Sequence, residues 1–399
     1  MKLLSVALGA AVSLVALQSA QAFNGPTNVQ IDGGPLGPLQ LSGGADGYFY
    51  GLSGTGNAAN QGLLGTSKAT GFAFLNGMVE MQKTTGLVQF TIEVGSSNPI
   101  ILGYAPPRPS VQNFSTGPLY AGFLTLAPTS NLTISAGMLN SIEGYEGGID
   151  WANSNPLSSE LYYVENSQSR GVSATYTYGP VSGTIEFGDG FDTGVWNFFQ
   201  GLATYTINTN NVLSVFGATN VSRTGLNANI YGSAGPIGGL SSGSPYSHMT
   251  VASYGANYVN STMVGAYYSY TMGNLNLVPE VQYVYAKVDH EVGLNKFSSN
   301  FGAALFADYS IGKSPYSIGA WGEYFSSNGP DYWFVQPGAQ GIGVSVSPTW
   351  QSKNLFVRAD VGLLHLTKFS NDYGTHTGYG NDGGSRNQAD FLLEGGVLF

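Results

Sequence analysis

Few residues in this sequence could act as general bases or nucleophiles, and they are scattered along it. There are four histidines, His248, His290, His365 and His376, and there is no cysteine. A Ser-His hydrolase needs its base within about 3 Å of the nucleophile and a third group that orients the base. No spacing in the sequence indicates such a triad. The lack of cysteine also excludes thiol nucleophiles, zinc–thiolate clusters and attached haem c. We therefore expect no enzymatic activity and no cofactor.

The densest acidic group is Glu143, Glu146 and Asp150, and Asp189 and Asp192 follow it. Several carboxylate oxygens together are the ligands that a hard cation such as Ca²⁺ prefers. The spacing of these residues matches no fixed ligand pattern, however. We therefore favour the interpretation that they are solvated loop carboxylates, and we predict no resident metal.

The strongest pattern in the chain is alternation. From Ile342 to Trp350, every second residue is apolar or proline, and the residues between them are glycine, serine or threonine. This two-residue period is typical of a β-strand. The same period recurs at residues 88–94, 181–187, 281–285, 355–363 and 389–399. One face of each predicted strand is apolar, and the other carries most of the polar and charged residues.

Alternation alone does not distinguish a soluble sandwich from a membrane barrel, because the two place the charged face on opposite sides. The candidate strands run about 9 to 14 residues, which suits a tilted crossing of a bilayer. Aromatic residues such as Tyr176, Tyr178 and Trp350 lie near strand ends, and short turns alternate with long connections such as 141–169. These features predict an all-β protein, a transmembrane antiparallel β-barrel of about 16 strands, with 14 or 18 also open.

Two features fit this barrel less easily. Residues 246–272 are too long for a single crossing, and we interpret them as one long strand that continues beyond the bilayer. Pro279 and Pro348 lack the N–H that a closed ladder uses, so we expect bulges near the rim at these positions.

The first residues have the pattern of a secretory signal peptide. Lys2 precedes an apolar run, and Ala20-Gln21-Ala22 is a small-x-small cleavage site, so we expect residues 1–22 to be removed. We interpret the Gly- and Pro-rich residues 23–45 as either a periplasmic extension or a plug, and residues 46–399 as the barrel. With 13 basic and 23 acidic residues, the chain is a poor candidate for binding nucleic acid.

Inward-facing charged and amide residues are the candidate functional positions. Water in a lumen lets them stay ionised, whereas the lipid face penalises a charge by roughly 2–4 kcal/mol at the midplane. Their excess of carboxylates predicts a weak preference for cations. Alternatively, they pair with one another and brace the wall, and both roles can hold together. The candidate pore-lining residues are Gln89, Glu93, Glu186, Glu280, Gln282, Glu323, Arg358, Asp360, Asp390 and Glu394.

One part of the sequence resembles a known family. The stretches Ile134–Asn140, Ile142–Glu146, Gly171–Tyr178 and Gly188–Asp192 look like the putative β-barrel porin-2 family of Gram-negative bacteria. The resemblance extends over residues 46–399 and implies a porin-like barrel of the outer membrane. Met138 stands where a basic residue is usual, and Gly-Phe-Asp stands where a tryptophan is expected, which leaves the subfamily and the solute open. The terminal Phe399 resembles the signal that such barrels present to the outer-membrane assembly machinery.

Three functions therefore stay open. The first is an outer-membrane porin, a water-filled channel for passive diffusion of small hydrophilic solutes or ions, with residues 98–118 either folded inward or lying on the outer rim. The second is a barrel that displays loops such as 224–245 for binding or adhesion. The third is an outer-membrane hydrolase that uses His248 or His365. Many pores of this size are trimers, so a homotrimer is an assembly we consider by analogy of fold.

Overall fold

The strands follow one another with few helical residues between them. The computed structural model describes residues 23–56, 68–97, 99–104, 118–166, 168–191, 193–224, 256–292, 294–329, 338–369 and 378–399. The strands in these ranges are β1 Val29–Asp32, β2 Pro38–Leu52, β3 Thr70–Lys83, β4 Val88–Ser96, β5 Ile100–Ile101, β6 Leu119–Leu126, β7 Leu132–Asn140, β8 Leu157–Ser158, β9 Gln168–Tyr178, β10 Val181–Gly188, β11 Phe198–Asn208, β12 Asn211–Asn220, β13 Thr262–Met272, β14 Leu275–Ala286, β15 Ser298–Ser310, β16 Tyr316–Asn328, β17 Gln340–Ser352, β18 Leu355–Lys368 and β19 Asn387–Leu398.

Sixteen of these strands close into one antiparallel barrel, as the sequence predicted. They are β2–β4, β6, β7 and β9–β19, and β19 pairs back onto β2, from Asp390 opposite Leu52 to Leu398 opposite Gly44. Strands β5 and β8 form a separate two-stranded parallel sheet. Closure leaves no strand edge in the wall, so the backbone N–H and C=O groups can pair between neighbouring strands all around it, which hydrocarbon requires.

The two faces of the wall are divided as the alternation predicted. Val344, Val346 and Val357 are between 43% and 49% exposed on the outside. Arg358 and Asp360, which alternate with such residues along β18, are 0% exposed. The apolar face therefore points away from the barrel axis and the charged face points towards it.

Tight turns join alternate strand pairs, for example between Lys83 and Val88 and between Ser352 and Leu355. Helices account for little of the chain. Within the described ranges, none is long and apolar enough to cross a membrane. The short helical pieces are Gly34–Leu36, Asp150–Ala152, Glu160–Tyr163, Ala256–Val259 and His290–Val292.

The interpretation of residues 246–272 as one long strand is wrong. The crossing is only β13, Thr262–Met272, and a single helical turn, Ala256–Val259, precedes it. Residues 246–255 lie outside the described residues. The apolar and aromatic residues between 256 and 272 thus belong to two elements, and their hydropathy alone could not separate them.

The prolines do not create bulges either. The register of β17 on β18 is the same on both sides of Pro348, with Val346 opposite Val361 and Thr349 opposite Arg358. Pro348 has no N–H to donate, and the Ser347 hydroxyl donates to the Ala359 carbonyl instead, at 2.8 Å. A side-chain donor therefore replaces the missing backbone donor without a shift in register. Pro279 likewise lies inside β14, with the register unchanged around it.

The segment before the barrel is ordered against it. Strand β2 begins at Pro38, ahead of the expected boundary at Asp46, and β1 pairs with its first residues, Asp32 lying opposite Pro38. Phe23 is 2% exposed, and the Asn24 N–H donates to Gln351 Oε1 at 3.0 Å. The stretch before β2 is therefore anchored to the barrel at Phe23, at Asn24 and through β1.

A charge placed on the outer wall tests this orientation. Val346 lies at the middle of β17. For the protein embedded in lipid vesicles, we expect Val346→Arg to lower the free energy of unfolding by about 2–4 kcal/mol, because the cation would lie in hydrocarbon. Leu355→Arg, beside the Ser352–Leu355 turn, is the matched control and should cost about 0–1 kcal/mol. Denaturant titration followed by tryptophan fluorescence measures both variants. Equal costs would mean that this face does not meet lipid.

Candidate functional site: a chain segment inside the barrel

The lumen is partly filled by the connection between β7 and β9, residues 141–166, which we call the lumen segment. Asn140 and Gln168 are register partners, so the chain leaves the wall and returns to it at the same point. Trp151, Leu157 and Leu161 of this segment are at most 3% exposed. The connection was predicted to be an outer loop, but it folds into the barrel.

Apolar contacts seat the lumen segment. Leu157 and Leu161 belong to a buried apolar cluster that includes Trp321 from the wall. Trp321 Nε1 donates to the Leu157 carbonyl at 2.9 Å. Strand β8 of the segment pairs with β5, so residues 100–101 also lie inside, with Ile100 fully buried. Of the stretch 98–118, for which an inward fold and a rim position were both open, residue 98 and residues 105–117 lie outside the described residues.

Arg358 is the main polar link between the lumen segment and the wall. Its guanidinium is completely buried and binds Glu394 of the neighbouring strand through two bonds, from Nε at 2.8 Å and from Nη2 at 3.0 Å. Nη2 also pairs with the Asp150 carboxylate, and Nη1 donates to the Asn153 carbonyl at 3.0 Å. The Phe23 ring lies 4.2 Å from the guanidinium carbon. One cation therefore ties the segment, the wall and the N-terminal stretch together.

Asp46 completes this cluster from β2. It accepts hydrogen bonds from the Asn76 backbone N–H at 3.0 Å, from Asn76 Nδ2 at 2.8 Å and from Trp151 Nε1 at 2.5 Å. Carboxylate oxygens of Asp46, Asp150 and Glu394 lie within 4.8 Å of one another, a spacing that would suit a metal ion. The Arg358 guanidinium already pairs with two of these carboxylates, so the cluster has its own counter-charge.

Strands β14 to β18 hold the other side of the lumen segment. Asn155 Nδ2 donates to Ser345 Oγ at 2.7 Å, and Ser345 Oγ donates to Asp360 at 2.5 Å. Gln282 Nε2 donates to the Leu161 carbonyl at 2.7 Å. The Glu160 backbone N–H donates to Glu323 Oε2 at 2.8 Å. Predicted inward residues on several strands thus bind the segment's backbone and amide groups.

The acidic group Glu143, Glu146 and Asp150 is not solvated as we had expected, because all three lie in the lumen segment and are buried. The Asn166 N–H donates to Glu143 at 2.9 Å, and the Ser159 N–H donates to Glu146 at 3.0 Å. Burial raises the pKa of Glu143 to about 8 and that of Glu146 to about 7. The loop interpretation failed because it assumed that a long hydrophilic connection stays outside.

All ten candidate pore-lining side chains are buried, on β4, β10, β14, β16, β18 and β19. The structure brings Arg358 and Glu394 into direct contact, whereas the rest are spread around the wall. Glu93 accepts from Asn140 Nδ2 at 3.0 Å, and Glu186 accepts from Gln200 Nε2 at 3.1 Å. Gln89 Nε2 donates to the Gly86 carbonyl at 3.1 Å, whereas Asp390 has no hydrogen-bond partner for either carboxylate oxygen among the described residues.

The histidines that the structure describes do not assemble a triad. His365 lies inside β18, and its Nδ1 is 2.7 Å from Asn387 Oδ1. His290 Nδ1 is 3.0 Å from Asn295 Oδ1. His248 and His376 lie outside the described residues. The chemistry of the described site is therefore that of buried carboxylates, amides and one guanidinium.

Removing the central cation tests the cluster. We expect Arg358→Met to lower the free energy of unfolding by about 3–5 kcal/mol, because Asp150 and Glu394 would stay buried without their partner. The control is Arg223→Met, since Arg223 pairs with Asp289 and Glu291 at the surface. Such an exposed pair is screened by solvent and contributes little to stability, so this variant should unfold almost as the wild type does. Denaturant unfolding in the same lipid measures both variants, and losses of similar size would remove Arg358 from its central role.

Comparisons with known proteins agree with this architecture. Similar solved structures include the in-vitro folded outer membrane protein OmpT of Vibrio cholerae (TM-score 0.54, 10% identity, covering 91% of this chain and 98% of that one). The anion-selective porin from Comamonas acidovorans has a TM-score of 0.56 and 12% identity, covering 90% of this chain and 99% of that one. Salmonella typhi OmpF in complex with daunomycin has a TM-score of 0.52 and 12% identity, covering 94% and 100%. At these identities the likeness shows the fold alone.

No curated protein sequence matches this chain. The family described as "Putative beta-barrel porin-2, OmpL-like" matches residues 38–399, a range that begins at the first residue of β2. This is the family that the motifs between residues 134 and 192 resemble. The chain therefore belongs to the putative β-barrel porin-2, OmpL-like family, and it is a porin-like protein of the outer membrane.

Proposed function

We propose that the protein is a channel for passive diffusion of small hydrophilic solutes and ions, with a weak preference for cations. The observation that carries the proposal is the inner surface, where buried carboxylates face a lumen that the lipid-facing wall encloses. The lumen segment and residues 99–104 occupy part of that space. The free path is therefore narrower than an empty barrel of this strand number would leave.

The charges inside the barrel support a cation preference. Wall carboxylates such as Glu186, Glu280 and Asp390 face the lumen. Arg358 lies in the same interior, but its charge is balanced by Glu394 and Asp150. The net field is negative and favours cations over anions. The anion selectivity named for the Comamonas porin belongs to that protein, and a shared fold does not transfer it.

Five of the ten candidate residues fall into two groups within this proposal. Arg358, Glu394 and Asp360 are committed to contacts with the lumen segment or with each other, and we propose that they brace the channel. Glu280 and Asp390 keep carboxylate oxygens without hydrogen-bond partners among the described residues, and we propose that they set the field. In this proposal some inward residues stabilise the channel wall and others create its electrostatic field.

Assembly and export complete the proposal. We infer a homotrimer, for which the support is that OmpT of Vibrio cholerae, a structure of the same fold, is described in a trimer form. We also infer that residues 1–22 are a cleaved signal peptide and that Phe399 is read by the outer-membrane assembly machinery. The proposed role is transport without catalysis, because the histidines that the structure describes have amide partners only.

Conductance in a planar bilayer tests the channel and its selectivity. Purified, refolded protein should give discrete conductance steps, and in a salt gradient the reversal potential should favour the cation. Asp390→Asn should reduce that preference because it removes a lumen charge. Asp382→Asn, at an exposed loop position, is the matched control and should leave it unchanged. The absence of any conductance would contradict the proposal of a channel. A reversal potential that favours chloride would contradict the proposed cation preference.

Excision of the lumen segment tests its place in the path. Because Asn140 and Gln168 are register partners, a short Gly/Asn turn can replace residues 142–166 without breaking the β7–β9 ladder. We expect a higher single-channel conductance, since the lumen would be emptier. The same insert at the Gly312–Lys313 turn, between β15 and β16, controls for altered connectivity. Unchanged conductance after excision would place the ion path elsewhere.

A further inference from the structure

Two buried glutamates face each other where the lumen segment meets β16. Glu160 belongs to the helical turn Glu160–Tyr163 and is 0% exposed, and Glu323 belongs to the wall and is 4% exposed. One oxygen of Glu323 accepts the Glu160 backbone N–H. The other three carboxylate oxygens, Oε1 and Oε2 of Glu160 and Oε1 of Glu323, have no hydrogen-bond partner in the described part of the chain.

Glycines on both sides make room for these carboxylates. The Glu323 side chain lies against Gly343, its register partner on β17. A Cβ added to Gly343 would collide with the Glu323 carboxylate. On the other side, Glu160 Oε1 lies 2.7 Å from the place where a Cβ on Gly103 would stand, and the Tyr379 hydroxyl lies 2.9 Å from the same point. The pair is therefore enclosed, with one hydroxyl and the backbone of Gly103 beside it.

Several other acids inside the barrel have partners that this pair lacks, although Asp390 is also without a hydrogen-bond partner among the described residues. Glu394 has Arg358, Glu93 has the Asn140 amide, and Glu146 has Ser159. Among the described residues, neither Glu160 nor Glu323 makes an ion pair with a basic side chain. Burial and the neighbouring Glu323 raise the pKa of Glu160 well above its usual range. Buried carboxyl groups of this kind either take up protons and become neutral or receive a cation.

We propose that Glu160 and Glu323 bind a hard divalent cation, Ca²⁺ or Mg²⁺, inside the barrel. Carboxylate, hydroxyl and carbonyl oxygens are the ligands such ions take, and two carboxylates match the ion's charge. The enclosure leaves these oxygens out of contact with solvent, which suits a small ion rather than an organic cation. The ion would be a second bridge from the lumen segment to the wall, besides Arg358. This inference goes beyond the channel function and does not depend on conduction.

Calorimetric titration of the refolded full-length protein, stripped with EDTA, tests the site. CaCl₂ or MgCl₂ should bind with one equivalent per chain, and Glu160→Gln and Glu323→Gln should each abolish that binding. Glu80→Gln is the matched control, because Glu80 and Glu93 also face each other across two strands but accept hydrogen bonds from Ser42 and Asn140. This variant should bind the ion as the wild type does.

Thermal unfolding of the wild-type protein gives a second measurement, which does not depend on whether the glutamine variants fold. Added Ca²⁺ should raise the unfolding temperature of the wild-type protein, and EDTA should reverse the rise, since a ligand of the native state stabilises it. No binding of either ion at millimolar concentration would overturn the proposal and leave protonation of the two carboxyl groups as the explanation. Undiminished binding in both glutamine variants would also overturn it. Conductance is measured separately, so failure of this site and failure of the channel are distinguishable.

Discussion

The structure depends on the requirement that no backbone hydrogen-bonding group be left unpaired in hydrocarbon. A sheet meets that requirement only if it closes, and here β19 returns to β2 to complete sixteen strands. Closure then decides which side each side chain takes. Val346 and Val357 face lipid, and Arg358, on the opposite face, must be buried. The charged side chains of the strands therefore lie in the interior, because the lipid on the outer face penalises a charge.

An enclosed acidic interior requires partners, and much of the internal structure supplies them. Arg358 joins Glu394 of the wall to Asp150 of the lumen segment, so one buried cation stabilises two anions. Breaking such a buried pair is costly because the remaining charge keeps its desolvation penalty. Asp46 is satisfied by neutral donors, Asn76 and Trp151, and lies against the same cluster. The lumen segment therefore does two things: it supplies charged and polar partners for the wall, and it occupies part of the lumen.

The wall could be predicted from the sequence because a strand in a bilayer has a strict period of two and a length set by the membrane. Val344 and Asp360 took the predicted sides for that reason. The position of the lumen segment could not be predicted in this way. The strands on each side of a connection have the same alternating pattern whether that connection folds into the barrel or lies outside it. Trp151, Leu157 and Leu161 were the signal that sequence reasoning missed: apolar residues of this size are uncommon in a solvated loop. Asp46 and Asn76 gave no signal, because their role arises only when β2 and β3 meet residue 150.

The buried carboxylates of the lumen segment form a graded series that depends on what lies beside each one. Asp150 has a guanidinium, and Glu146 accepts from the Ser159 hydroxyl and from the Ser159 N–H, which lies within hydrogen-bond distance of both its oxygens. Glu160 has neither, although it is as deeply buried. A side chain that only filled space at this position could have been apolar at lower cost, since an unpaired buried carboxylate costs several kcal/mol. The sequence instead places an acid on the segment against an acid on the wall, and their negative charges must be neutralised, either by protonation or by the metal ion that we propose.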